Sequence, residues 1–159
     1  MKGLCVDTGF LIRFVKSDER LNQNAEEYYR YCLERQIPIY CSTIAIAEYC
    51  VKGQLNQLPL KDLRVIPFNI NHAARAGDLM RITFAKRNKS VEEYSRVSAT
   101  NDVKMFAQVD IETTIDTFLT VDQEAIKLYN SIKTEASLQF QIIDLNIPRH
   151  IIFGELDLS

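Results

Sequence analysis

The stretch that decides the fold lies near the start of the chain, where residues 2–13 read KGLCVDTGFLIR. Asp7 is the only charged residue between Lys2 and Arg13, and it ends an apolar run that predicts a buried strand over residues 2–6. A short helix is predicted from Thr8 through Val15. Burying an unpaired carboxylate is costly or forces it neutral, so this acid indicates a compensating cation, a hydrogen-bond cage or a solvent-filled cleft.

The rest of the chain repeats this alternation of strand and helix. Strands are predicted over 37–41, 64–67, 114–121 and 138–145. Helices are predicted over 21–33, 43–53, from Asp102 through Ala107, and over 125–132. Ser42 or Thr43 caps the helix over 43–53, and Gly53 ends it. A further helix is predicted from the apolar face formed by Ala73, Ala76, Met80 and Phe84. We therefore expect an α/β fold in which a parallel sheet of four or five strands carries helices on both faces.

Length and composition favour one ordinary domain. At 159 residues the chain can bury roughly two-thirds of its unfolded surface in a single core. It has no apolar run near the ~20 residues needed to cross a bilayer, so no membrane contact and a cytoplasmic location are expected. The four cysteines show no C-x-x-C spacing and are predicted to be reduced and packed as small hydrophobes, and both histidines are isolated, which argues against structural zinc.

Basic residues are concentrated in one segment. The net charge is −2, which argues weakly against a nucleic-acid-binding protein, but residues 75–104 hold seven basic and four acidic side chains. Lys86, Arg87 and Lys89 form a basic, loop-like exit from the preceding helix. This segment is predicted to face phosphates.

Three further acids stand in positions similar to that of Asp7. Glu48 is the only charge between Ile37 and Lys52, and a glutamate in the middle of an apolar helix caps nothing. Asp122 follows a predicted strand, as Asp7 does, and ligands of open parallel sheets collect at the carboxyl ends of strands. Asp7, Asp102 and Asp122 each also allow a simpler interpretation as helix N-caps.

One metal site would account for all four acids at once. Glu48 and Asp102 lie on predicted helices that could lean over the edge where Asp7 and Asp122 meet. Thr8 and Thr120 add hydroxyl groups beside the acids at that edge. Carboxylate oxygens are the ligands that hard divalent cations prefer. The sequence therefore predicts a pocket in which four carboxylates surround such an ion.

The pattern resembles the PIN-domain ribonucleases, in particular the VapC-like toxins of toxin–antitoxin pairs, across nearly the whole chain. Family members have a strand that ends in Asp followed by Ser or Thr, a Glu in a small-apolar helix, an acid opening a helix with a small residue five positions on, and a Thr-x-Asp after a strand. These features are matched by Val6-Asp7-Thr8, Ile44-Ala45-Ile46-Ala47-Glu48, Asp102 with Ala107, and Thr120-Val121-Asp122. The chain departs from the pattern at Lys104, where small apolar residues are usual, so the third acid is Asp102 or a neighbour.

The resemblance implies a metal-dependent endoribonuclease. It implies that Asp7, Glu48, Asp102 and Asp122 hold Mg²⁺ or Mn²⁺. From the residues themselves we further expect Thr8 and Thr120 to lie beside these ligands and orient them, and Lys86, Arg87 and Lys89 to bind the RNA backbone. The resemblance further implies a homodimer and an antitoxin protein that covers the acidic cleft, and the aromatic residues Phe14, Tyr28, Tyr29 and Tyr31 provide surface for such contacts unless helix packing uses them. We expect residues 1–146 to form the PIN-like nuclease domain, with residues 147–159 as a C-terminal tail docked on it.

Two other functions remain open from the residues. A phosphatase with Asp7 as nucleophile is weakened because Gly9 stands where the haloacid-dehalogenase pattern has a second Asp. A PIN-like module that binds RNA or protein without cleaving it is the third possibility. Metal binding separates this module from the nuclease.

Overall fold

The structure is a computed structural model that describes residues 1–18, 20–86 and 96–154. Its strands are β1 (Leu4–Val6), β2 (Ile39–Ser42), β3 (Leu63–Ile66), β4 (Thr117–Thr120) and β5 (Gln141–Asp144). Its helices are α1 (Thr8–Val15), α2 (Asn22–Glu34), α3 (Thr43–Tyr49), α4 (Ile70–Lys86), α5 (Arg96–Ile111), α6 (Gln123–Ile132) and α7 (Arg149–Phe153), with a short 3-10 turn at Leu55–Gln57.

The five strands form one parallel sheet in the order β3-β2-β1-β4-β5. The chain builds outward from β1 through β2 to β3, then returns to place β4 on the other side of β1. The strand order therefore reverses between β1 and β4. The central strands β1, β2 and β4 are buried along their whole length, whereas the edge strands β3 and β5 are partly exposed. The predicted α/β fold with a parallel sheet of four or five strands is confirmed.

The helices form two groups that cover the two faces of the sheet. Helices α1, α2 and α3 connect strands on the outward path and pack around α1, whereas α4, α5 and α6 follow the reversal and pack against one another. Parallel strands are joined by right-handed crossovers, so the change of direction places the second group on the opposite face. None of the helices in the described ranges has the length and apolar character needed to cross a membrane.

An aromatic cluster fixes α5 against the sheet. The buried ring of Phe106 meets Phe118 of β4 edge-on at 5.4 Å between centroids, and it also contacts Tyr129 of α6 and Phe140. Tyr129 donates a hydrogen bond of 2.6 Å to the Phe140 carbonyl oxygen, which satisfies its buried hydroxyl. The position of α5 is therefore set by several rigid side chains.

Several predicted boundaries and faces differ from the structure. Helix α3 ends at Tyr49, four residues before the predicted stop at Gly53. Gly53 is needed for a different reason: the chain passes close to the Tyr49 ring there, and a Cβ would collide with that ring. On α4 the buried face is His72, Ala76, Leu79 and Thr83, whereas Ala73 and Phe84 are exposed. His72 is buried because its ring accepts a hydrogen bond from the Asn69 amide and contacts Glu112.

The cysteine prediction holds for three of the four thiols. Cys5, Cys32 and Cys41 are buried and reduced, and burial raises the pKa of Cys32 and of Cys41 to about 12. Cys50 is exposed, contrary to prediction, because it follows the last residue of α3 and no longer lies on the apolar face.

The segment after β5 returns to α2. Tyr28 donates a hydrogen bond of 2.9 Å to the Ile147 carbonyl oxygen, and the Tyr31 ring stacks on Phe153 at 4.6 Å. Tyr28 is completely buried, and the Phe14 and Tyr29 rings lie 4.5 Å apart. Helix packing thus uses these aromatic residues. Residues 155–159 of the predicted tail lie outside the described part of the chain.

Candidate active site

Four elements bring the four predicted acids to one cavity of about 460 Å³ at the carboxyl edge of the sheet. Asp7 directly follows β1, Asp122 lies two residues after β4, Glu48 lies on α3 and Asp102 lies on α5. Since β1 and β4 are the neighbouring strands at which the order reverses, the cavity occupies the topological switch point of the sheet. Acids that lie up to 115 positions apart in the sequence therefore line the same cavity.

Asp7 is the most buried of the four carboxylates. It is 6% exposed, its Oδ1 accepts a hydrogen bond of 2.7 Å from the Phe10 amide, and its Oδ2 accepts one of 2.5 Å from the Thr120 hydroxyl. Burial raises the pKa of Asp7 to about 6 despite those two hydrogen bonds and the positive charge of Arg13, and the negative charge of Asp122 adds to the increase. A cation in the cavity would therefore favour the ionised form of Asp7.

Asp122 both caps a helix and lines the cavity. Its Oδ1 accepts a hydrogen bond of 2.8 Å from the Glu124 amide, so the simpler N-cap interpretation is correct for α6. Its own amide donates to Thr120 Oγ1 at 2.9 Å. Thr120 thus connects Asp122 to Asp7, which explains why a threonine stands two residues before the acid.

Glu48 is held by two donors from other elements. Thr8 Oγ1 donates to Glu48 Oε2 at 2.5 Å, and Asn101 Nδ2 donates to Glu48 Oε1 at 2.5 Å. Glu48 is the second-to-last residue of α3, so the prediction that it lies in the middle of a helix is wrong, although it still caps nothing. These contacts fix its carboxylate between α1 and α5.

Asp102 does not open its helix, contrary to prediction. Helix α5 begins at Arg96, so Asp102 lies in its second turn and cannot cap it. Thr100 and Asn101 suggested a cap from sequence, but they are helical residues. Asp102 is 9% exposed and lies one turn before Phe106, whose ring is anchored in the aromatic cluster. The packing of α5 therefore sets where this carboxylate reaches the cavity.

Several residues of the cavity carried no sequence prediction of function, among them Gly9 and Arg13 in its wall and Asn101 beside it. A Cβ on Gly9 would lie 2.5 Å from Val121 Cγ1 and 3.2 Å from Asp7 Oδ2, so the close approach of α1 to the segment after β4 requires glycine. Arg13 Nη1 donates to the Gly9 carbonyl oxygen at 3.1 Å. Only the helical spacing between Gly9 and Arg13 could have indicated this arrangement from sequence.

The side chains that line the cavity are of the chemical type that binds a hard cation. Carboxylate oxygens are the preferred ligands of Mg²⁺ and Mn²⁺, and four of them line this cavity. Within the described residues, however, no three acidic, histidine or cysteine side chains are grouped closely enough to hold an ion as they stand. The oxygens of Asp7 and Glu48 are instead turned toward hydroxyl, amide and backbone donors. To bind an ion, Asp7 and Glu48 would have to replace some of these hydrogen bonds with contacts to the ion.

The predicted RNA-binding cluster begins at the last residue of α4. That residue is Lys86, and its side chain lies outside the described part of the chain, as do Arg87 and Lys89. The cavity wall itself supplies a cation in Arg13.

Comparison with known proteins identifies the fold. No family model matches this sequence, and no curated protein matches it. A solved structure that does match is the crystal structure of VapBC2 from Rickettsia felis bound to a DNA fragment from the promoter. One chain of that complex aligns with a TM-score of 0.58 and 16% identity, over 89% of this chain and 97% of that chain.

The fold is PIN-like. At 16% identity the likeness to the VapBC2 chain shows the fold alone.

Proposed function

We propose that this protein is a metal-dependent endoribonuclease that hydrolyses RNA phosphodiester bonds, with Asp7, Glu48, Asp102 and Asp122 as the acids that hold Mg²⁺ or Mn²⁺. One observation carries the proposal: carboxylates from four elements reach a single cavity at the switch point of the sheet. A cavity surrounded by four acids repels phosphates unless a cation intervenes. When bound, such an ion polarises a phosphoryl oxygen and lowers the pKa of a coordinated water.

The other residues of the cavity have supporting roles in this proposal. Thr120 and the Phe10 amide favour the ionised form of Asp7, and Thr8 and Asn101 orient Glu48. The Arg13 guanidinium offers N–H donors to a non-bridging phosphate oxygen, a role for which its planar geometry is well suited. We also propose that Lys86, Arg87 and Lys89 bind the RNA backbone.

The cavity argues against the phosphatase alternative. That chemistry requires a second acid two residues after the nucleophile, at the position of Gly9. Any side chain there would collide with Val121 and press on the Asp7 carboxylate. A PIN-like module that binds without cleaving remains the second candidate, because the acids as they stand are not grouped around an ion.

Cleavage of mixed RNAs tests the proposal directly. We expect hydrolysis in Mg²⁺ or Mn²⁺, none after chelation with EDTA, and loss of activity in the Asp7→Asn protein. Asp78→Asn is the matched control, because Asp78 is an exposed acid of α4 that pairs only with Arg81 among the described residues. Full activity in the Asp7→Asn protein would refute the assignment.

Calorimetric titration of Mn²⁺ separates the nuclease from the binding module. The nuclease binds Mn²⁺ through its acids, and Asp7→Asn weakens that binding while Asp78→Asn does not. A binding module with no functional metal site shows weak Mn²⁺ binding that is the same in all three proteins.

The biological setting is part of the same proposal. The VapBC2 structure is a complex bound to promoter DNA, and by analogy we propose an antitoxin partner, a toxin role, a homodimer and action in the cytoplasm. Light scattering of the purified protein tests the dimer. Co-expression with the product of the neighbouring open reading frame tests the antitoxin partner. We expect the two proteins to form a complex in which RNA cleavage is inhibited.

A further inference from the structure

A second cavity, of about 580 Å³, adjoins the acidic one between α1 and the end of α3. The two cavities share Thr8, Ile12 and Glu48 as a common wall. We call the second cavity the α1–α3 groove. Any molecule lying in this groove is contiguous with whatever the four carboxylates hold.

The groove has an apolar floor and basic residues in its lining. Ile12, Val15 and Val51 contribute aliphatic surface, and Lys16 and Lys52 line the same groove from the end of α1 and from the turn after α3. Within residues 1–18, 20–86 and 96–154, neither lysine forms an ion pair. The groove therefore combines apolar contact with positive charge, whereas the acidic cavity beside it is rich in carboxylates.

One side of the groove also carries an oriented polar group. Gln57 Oε1 accepts hydrogen bonds from the Tyr49 hydroxyl at 3.0 Å and from the Gln54 amide at 2.8 Å. Because its oxygen is held by two donors, the amide group of Gln57 offers its NH₂ group to a ligand. Gly53 keeps this side of the groove open, since a side chain there would meet the Tyr49 ring.

We propose that the α1–α3 groove binds the nucleotide that flanks the scissile phosphate of a single-stranded RNA. Its base would lie on the apolar floor, and Lys16 and Lys52 would neutralise the neighbouring phosphates. Single-stranded nucleic acids are bound in this way, by surfaces on which bases pack beside cations that follow the backbone. The inference rests on the proposed nuclease function, because that function places a phosphodiester in the adjoining cavity. The lysines favour a nucleotide over an uncharged apolar peptide.

Binding of a fluorescein-labelled RNA trinucleotide tests the groove without requiring cleavage. Fluorescence anisotropy is measured in the Asp7→Asn protein at saturating Mn²⁺, so that the probe stays intact and a cation still offsets the remaining acids. We expect Lys16→Ala/Lys52→Ala to weaken binding about tenfold at low salt. The slope of log affinity against log salt should also become shallower by about 1.4, because each lysine that contacts a phosphate of a single strand contributes about 0.7.

Lys61→Ala/Lys133→Ala is the matched control, since it removes the same charge from exposed lysines that line neither cavity. It should leave the slope unchanged. A second variant tests the base: Val51 is 77% exposed, so Val51→Asn should not disturb the fold. It should weaken binding of the intact trinucleotide several-fold more than binding of the same trinucleotide with an abasic centre.

The outcomes separate the groove from the proposed function. Suppose that the unaltered protein cleaves RNA but the two double lysine variants weaken trinucleotide binding equally. That result would refute nucleotide binding in the groove and would leave the proposed nuclease function supported. Trinucleotide binding that depends on Lys16 and Lys52, in a protein that never cleaves RNA, would support the groove and count against the nuclease. Equal effects of Val51→Asn on the intact and abasic probes would overturn the base-binding floor.

Discussion

Replacing Asp7 by Asn should stabilise the protein at high pH while removing its activity. The pKa of Asp7 in the fold is about 6, above the ordinary 3.8, because of burial. The protonated carboxyl therefore stabilises the fold below about pH 4, and this stabilisation is lost as the pH rises through 6. At 1.36 kcal/mol per pKa unit, ionised Asp7 costs the fold about 3 kcal/mol at pH 8.

Asparagine avoids the cost of a buried charge but weakens two hydrogen bonds. The bond from the Phe10 amide becomes a neutral one, and the bond with the Thr120 hydroxyl becomes neutral or reverses direction, a combined loss of about 1 kcal/mol. The net gain of about 2 kcal/mol at pH 8 corresponds to a rise in melting temperature of about 4–8 °C for a chain of this size. Thermal unfolding in EDTA at pH 4 and pH 8 measures it, and we expect little gain at pH 4.

Divalent cations should reverse this order of stability. A ligand that binds only the folded state, present at 100 times its dissociation constant, adds about 2.7 kcal/mol to the free energy of unfolding, so Mg²⁺ or Mn²⁺ should stabilise the unaltered protein and not Asp7→Asn.

Asp116→Asn is a control for which the expected change in stability has the opposite sign. Burial tends to raise the pKa of Asp116, but hydrogen bonds from the Lys2 amide and Thr117 and the charge of the N-terminus outweigh it and lower the pKa.

Stability from Asp116 is therefore present above the ordinary pKa of an aspartate and lost as the pH falls through the lowered value, so Asp116→Asn should destabilise the fold at pH 8. Two results would refute the reasoning on Asp7. One is a melting temperature of Asp7→Asn below that of the unaltered protein at pH 8 in EDTA. The other is an equal increase in the stability of both proteins on addition of Mn²⁺.

Three other substitutions test the neighbours of the acids. Thr120→Val removes a hydrogen bond that lowers the pKa of Asp7, so the acid limb of the pH–rate profile should move to higher pH; an unchanged limb would contradict the role of Thr120. Asn101→Leu leaves Glu48 with one donor fewer, and RNA cleavage should fall about tenfold with little change in melting temperature, as measured on the same samples. Gly9→Ala places a methyl group against Val121 and should destabilise the protein by about 1–3 kcal/mol in urea unfolding, whereas Gly77→Ala, where the structure leaves open space, should not.

The arrangement of strands could be predicted from sequence because parallel strands are buried on both sides. Apolar runs such as residues 2–6 and 117–121 stand out between polar segments, and the acids that end them mark the carboxyl edge. Asp7 and Asp122 therefore could be placed at one edge from local pattern alone. The bounds of α1 were predicted correctly for the same reason, since Asp7 caps that helix directly after the strand.

Features that depend on contacts between distant residues could not be predicted. The start of α5 at Arg96 was missed because Thr100 and Asn101 are good cap residues, and only packing on α4 and the aromatic cluster extends the helix past them. Asn101 binds Glu48 across 53 positions of sequence, and no local pattern indicates this contact. The need for glycine at Gly53 arises from one ring placed above its backbone.

The two hydrogen bonds on Asp7 mean that its oxygens serve as helix cap and as candidate ligand at the same time. An ion that takes either oxygen competes with the first turn of α1 or with Thr120, so its measured affinity is reduced by the free energy of the bond that it breaks. Any affinity of this cavity for a cation would thus depend on residues that need not touch the ion. Engineering of that affinity could begin at the Thr120 hydroxyl, with all four acids left in place.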